Sequence, residues 1–155
     1  MDFRTESFGP KRQLLALHLW KLAFMSVFTV GLYELYWFYK NWVAIAYLRS
    51  EKIHPFWRTF FAPLTAYTLF RRLGVKYAGW LGICYFFVVI LSNLPDPWAL
   101  LSFLSFLPLL PAQSKINQLQ SDIKPRNNLS WKEIIAILII LSLIIILSLI
   151  LPFLE

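Results

Sequence analysis

The chain has 155 residues, 59% hydrophobic and 15% charged, with a formal net charge of +7. Soluble domains sit near about 45–50% apolar and about 25% charged, so composition argues against an ordinary water-surrounded domain; the single cysteine, Cys84, excludes an intramolecular disulfide. Basic residues flank apolar runs and form no separate domain, so no nucleic-acid partner is expected.

The first stretch, MDFRTESFGPKRQLLALHLWK, does not read as a secretory signal, because His18 and Lys21 interrupt its apolar part and no small-residue cleavage site follows. The first apolar segment covers residues 17–39 and contains both Lys21 and Glu34. It is expected to span a bilayer or to re-enter it, with Gly31 offering a turn. Its end, GLYELYWFYKNW, surrounds Glu34 with Tyr33, Tyr36, Trp37, Phe38, Tyr39 and Trp42. Tyrosine and tryptophan concentrate at headgroup level. Glu34 is therefore expected near an interface, hydrogen-bonded or paired with a nearby Lys or Arg. The alternative is an intramembrane functional carboxylate, since such groups are costly and usually serve a pathway.

Next comes a basic connection, Lys40 to Lys76, holding an amphipathic helix over residues 55–73. Pro55 suits a first helical position. Phe56, Phe60, Leu64 and Tyr67 recur at helical spacing, and Pro63 predicts a kink. Arg58, Arg71 and Arg72 lie at the polar margins as candidate contacts for a lipid headgroup or a partner, because a guanidinium presents a planar fork to phosphate.

Residues 77–94 carry no charge, and Ala78 and Gly82 would let a neighbouring backbone approach closely. NLPDPW, residues 93–98, predicts a tight turn into a third apolar segment at 98–112, making a helical hairpin. The polar stretch that follows has Ile116, Leu119 and Ile123 as a weak apolar stripe of a short surface helix ended by Pro125. Ser130 and Glu133 form a capping-box pattern at the head of a last segment, 133–154. Within it Ile134–Leu151 is uncharged, long enough to cross most of a hydrocarbon core of roughly 30 Å.

These segments predict one domain over residues 1–155: an all-α integral membrane protein with three transmembrane helices, an N-terminal spanning or re-entrant segment and an amphipathic interfacial helix. Seven Lys and Arg lie between the first two apolar segments and four between the last two. The positive-inside rule then places both basic loops on the cytoplasmic side of the membrane and the C-terminus opposite. The side of the N-terminus stays open.

GLYELYWFYKNW followed by PFWRTFFAPLTAYTLFRRL resembles a group of uncharacterised small bacterial multi-pass membrane proteins. They share a Gly-x-Tyr-x-x-Tyr-Trp-Phe-Tyr run ahead of a basic stretch. The resemblance covers about residues 26–73 and implies an inner-membrane setting but no particular activity.

The five glycines match no nucleotide-binding spacing, and His18, His54 and Cys84 are too scattered for a metal site. No catalytic, cofactor or metal-ligating residue is therefore expected. The expected role is a non-enzymatic adaptor or accessory subunit. Its expected partners are a bilayer with anionic lipids and either a membrane protein or a second copy of the chain. Alternatives are a small oligomeric transporter or channel using Glu34, and a lipid-acting enzyme using His54, Glu34 and the arginines.

Overall fold

A computed structural model describes residues 13–91, 94 and 103–150, and seven α-helices carry most of them. Among the described residues no strand forms, and one parallel bridge joins Leu17 to Arg126. The first segment divides into α1, Leu19–Phe28, and α2, Leu32–Leu48. Thr29 ends α1 by donating its hydroxyl to the Met25 carbonyl at 2.7 Å, and the same oxygen accepts from Tyr33 N–H at 2.9 Å. Val30 and Gly31 then take left-handed angles, φ 51° and 82°. Nothing lies within 4 Å of a Cβ built on Gly31, so conformation alone selects glycine there.

The amphipathic stretch is two helices, α3 (Pro55–Phe60) and α4 (Ala62–Leu73), parted at Phe61. The break falls just ahead of Pro63, whose missing N–H is harmless in the first turn of α4. The stripe read from the sequence faces outward: Phe56, Phe60, Leu64 and Tyr67 are all exposed. The buried face of α4 is instead Ala62, Ala66, Leu69, Phe70 and Leu73. The neighbouring helix is α5, Ala78–Leu91, which meets α4 at Tyr67. A Cβ on Gly82 would stand 2.8 Å from Tyr67 Cβ and 2.9 Å from Tyr67 Cα, so the two backbones approach with almost no side-chain layer between them.

A short 3₁₀ turn, Leu107–Leu109, leads into α6, Leu110–Leu119. Ala112, Gln113 and Ile116 of α6 are buried, so the stretch expected on the surface packs into the core. There it joins Leu22 and Met25 of α1, Trp37, Phe38 and Trp42 of α2, and Leu69 and Phe70 of α4. The last helix, α7, is Trp131–Ile150.

The expected transmembrane architecture is corrected by these helices: among the described residues none is long and apolar enough to cross a membrane. Among the described residues of the 77–94 segment α5 covers 14, about 21 Å at 1.5 Å per residue. In α2, Glu34, Lys40 and Asn41 interrupt 17 residues. The described part of the 98–112 segment is 3₁₀ helix and turn up to Leu109 and enters α6 only at Leu110. In α7, Lys132 and Glu133 place charges in the first turn, leaving the 17 uncharged residues 134–150, about 25 Å against roughly 30 Å of hydrocarbon. The multi-pass inner-membrane placement and its sidedness rested on those spans and fall with them. The NLPDPW turn, Leu94 apart, lies outside the described residues.

Candidate functional site

Two polar constellations and one cleft stand out from the aromatic core. The first is centred on Glu34, in the opening turn of α2 and 2% exposed. Its carboxylate accepts from Ser105 Oγ at 2.6 Å and from Tyr85 Oη of α5 at 3.1 Å. The Ser26 hydroxyl faces the same carboxylate without reaching hydrogen-bond geometry. Burial pushes the Glu34 carboxyl up to about 7, and the bonds from Ser105 and Tyr85 pull the other way. No ion pair reaches Glu34 among the described residues: the expected neighbour Lys40 lies over the Tyr36 ring instead, 5.7 Å from its centroid.

The second constellation fastens α7 to α1. Lys21, fully buried, donates Nζ to Glu133 Oε2 and to the Asn128 carbonyl, each at 2.8 Å. Glu133 Oε2 also accepts from Ser130 N–H at 2.7 Å, the carboxylate half of the capping box. Alongside, His18 N–H donates to the Arg126 carbonyl and Arg126 N–H to the Ala16 carbonyl, both at 3.2 Å. The 126–133 strap is thus laid along residues 16–21.

Between α1, α2 and the base of α7 lies a cleft of about 400 Å³. Met25 and Ile140 give it apolar walls, and Tyr33, Arg126, Lys132 and Glu133 bring polar groups to it. The Tyr33 hydroxyl is buried and faces the Glu133 carboxylate without reaching hydrogen-bond geometry with any described residue. Burial, with the Glu133 charge nearby, holds the phenol well above its ordinary range, so it stays a donor. Arg126 Nη2 is 3.9 Å from Glu133 Oε2, with half of its side chain exposed.

The arginines singled out by sequence divide. Arg58 and Arg72 converge on the buried Trp42 ring, their guanidinium carbons 4.5 and 5.8 Å from its centroid. Arg72 is also bound to Glu51 Oε2 at 2.5 Å. Arg71 stays on the surface beside Tyr67. His54 sits ahead of α3 as its N-terminal flanking residue. Glu34 and the arginines therefore serve different neighbourhoods.

Sequence reasoning missed the amides. Gln113 of α6 is fully buried, accepting from Trp37 Nε1 at 2.6 Å and donating to the Leu15 carbonyl at 3.0 Å and to Asn117 Oδ1 at 2.9 Å. Asn41 Oδ1 accepts from Leu15 N–H at 3.1 Å. No period marks such residues, since a buried amide looks like a surface one until its partners are known. No protein-family model, curated protein or solved structure matches the chain.

Proposed function

We propose that this chain is a non-enzymatic adaptor that uses α7 to dock against an apolar helix of a protein partner. The observation that carries the reading is how α7 leaves the body. Glu133, Ile137 and Ile140, one helical face, are only partly exposed, whereas the described side chains from Leu141 to Ile150 are all exposed. A helix apolar on every face is normally buried, and a large exposed apolar patch marks an interaction surface. Beyond Glu133 the helix offers only Ser142 and Ser148 as polar side chains, and Ser142 donates to its own Leu138 carbonyl. Its complement is therefore another uncharged helix rather than a charged groove. The Lys21–Glu133 bond fixes the base from which α7 is presented.

Site-specific photo-crosslinking in cells tests this, with the reactive residue at Leu143 and, as a control, at the equally exposed Phe56. The expected result is one stoichiometric protein adduct from position 143 only. It should disappear in Leu147→Lys and re-form from the purified pair. Adducts only to a second copy of the chain, or only to small amphiphiles, would overturn the adaptor reading.

A further inference from the structure

We propose that the cleft at the base of α7 is a binding site for a single-chain anionic amphiphile, its head held by Arg126, Lys132 and the Tyr33 hydroxyl and its chain lying along Met25 and Ile140. This inference does not rest on the docking reading, which concerns the distal part of α7.

The charge balance selects an anion. Glu133 is already neutralised by Lys21 at 2.8 Å and holds Arg126 only at 3.9 Å. Lys132 makes no ion pair among the described residues and lines the same cleft. Two positive groups thus remain to be met from outside. The Tyr33 hydroxyl adds a donor. It is buried in a residue only 6% exposed and reaches no described group, Glu133 included, in hydrogen-bond geometry. Leaving such a group unsatisfied is costly, and a ligand oxygen would relieve it. Met25, Leu32, Ala136 and Ile140 supply apolar walls, and Thr29, Tyr36 and Ser130 complete the lining. A volume of about 400 Å³ falls within the roughly 300–1,000 Å³ of small-molecule sites. Polar groups gathered at the 126–133 strap beside apolar α1 and α7 walls match a molecule with one charged end and one hydrocarbon end.

Isothermal titration of the full chain with submicellar dodecanoate and with dodecyl phosphate tests the proposal and separates the two head chemistries. Dodecanol and dodecyltrimethylammonium serve as controls for adsorption to the exposed apolar helix. One anion should bind at a single site at least tenfold more tightly than either control. Tyr33→Phe removes a hydroxyl that makes no hydrogen bond of good geometry, so it should fold normally while weakening that binding roughly tenfold, the effect of one lost bond to a charged group. Lys132→Gln, at the exposed rim, should weaken it as well. Equal binding of the anions and dodecyltrimethylammonium, or parental affinity in both variants, would overturn the proposal.

Discussion

Lys21 and Glu133 meet at 2.8 Å across 112 residues of sequence, and through them a buried cation of α1 holds the base of α7. Each partner solves a problem for the other. Lys21 lies in an apolar helix with no exposure and needs an anion, and Glu133 already accepts from the Ser130 N–H at the head of its helix. Removing one partner of a buried pair leaves an uncompensated charge, at about 3–5 kcal/mol when both are fully enclosed. Glu133 keeps 14% side-chain exposure, so Lys21→Met should cost about 3 kcal/mol, the low end of that range. Lys21→Met combined with Glu133→Leu should recover much of the loss. Urea unfolding of the two singles and the double checks this, and additive losses would show that the pair is not coupled.

Glu34 predicts a pH dependence of stability. Its carboxyl is raised from 4.5 to about 7 in the folded chain. The folded state therefore binds the proton more tightly than the unfolded state. The associated stability is fully present below pH 4.5 and is lost as pH rises through about 7. At 1.36 kcal/mol per pKa unit, the loss between these limits is about 3 kcal/mol. Glu34→Gln should flatten that slope and make the protein more stable than the parent at pH 8. Denaturation midpoints at pH 5 and pH 8 measure both effects, and an unchanged slope would assign the titration elsewhere.

The α4–α5 contact predicts opposite outcomes for two neighbouring glycines. At Gly82 a methyl group would meet the Tyr67 backbone at 2.9 Å. Gly82→Ala must push the helices apart, and overpacking of this kind costs about 1–3 kcal/mol. At Gly79 the nearest atom is the end of the Tyr67 ring, 3.9 Å away. Gly79→Ala should stabilise by up to about 1 kcal/mol, through helix propensity alone. Thermal unfolding of the two variants shows the contrast directly.

The elements that were legible in the sequence were those fixed by local chemistry. Gly31 offers the turn that a re-entrant first segment would need, and Ser130 with Glu133 makes the capping-box pattern, because each signal lies within a few residues of its effect. What was not legible depended on which side of a helix finds a neighbour. Phe56, Phe60, Leu64 and Tyr67 make the larger apolar stripe, yet the face carrying Ala62 and Ala66 is the buried one, and Tyr67 of the stripe meets Gly82 of α5. Apolar runs were likewise read as spans, although length in a run does not guarantee length in a helix. Among the described residues the uncharged 77–94 segment gives Ala78–Leu91, after Tyr77 takes a left-handed φ of 61°. Its apolar side chains instead divide between the buried Tyr85 and an exposed face with Trp80, Ile83 and Phe87.

Gln113 carries the last prediction, because its amide joins three parts of the core. Gln113→Leu keeps the volume but leaves the Trp37 indole N–H and the Leu15 carbonyl without the bonds they make at 2.6 and 3.0 Å. Each buried group deprived of its partner costs about 1–3 kcal/mol, so the variant should lose roughly 2–4 kcal/mol in all, the carbonyl recovering part through local adjustment. Trp37→Phe removes the indole donor itself. If the amide bond accounts for the loss, adding Trp37→Phe to Gln113→Leu should cost less than Trp37→Phe alone. Because a core Trp→Phe change also removes volume, the comparison must be a full double-mutant cycle. A coupling near zero would mean that Gln113 acts through packing of α6 and not through its hydrogen bond to Trp37.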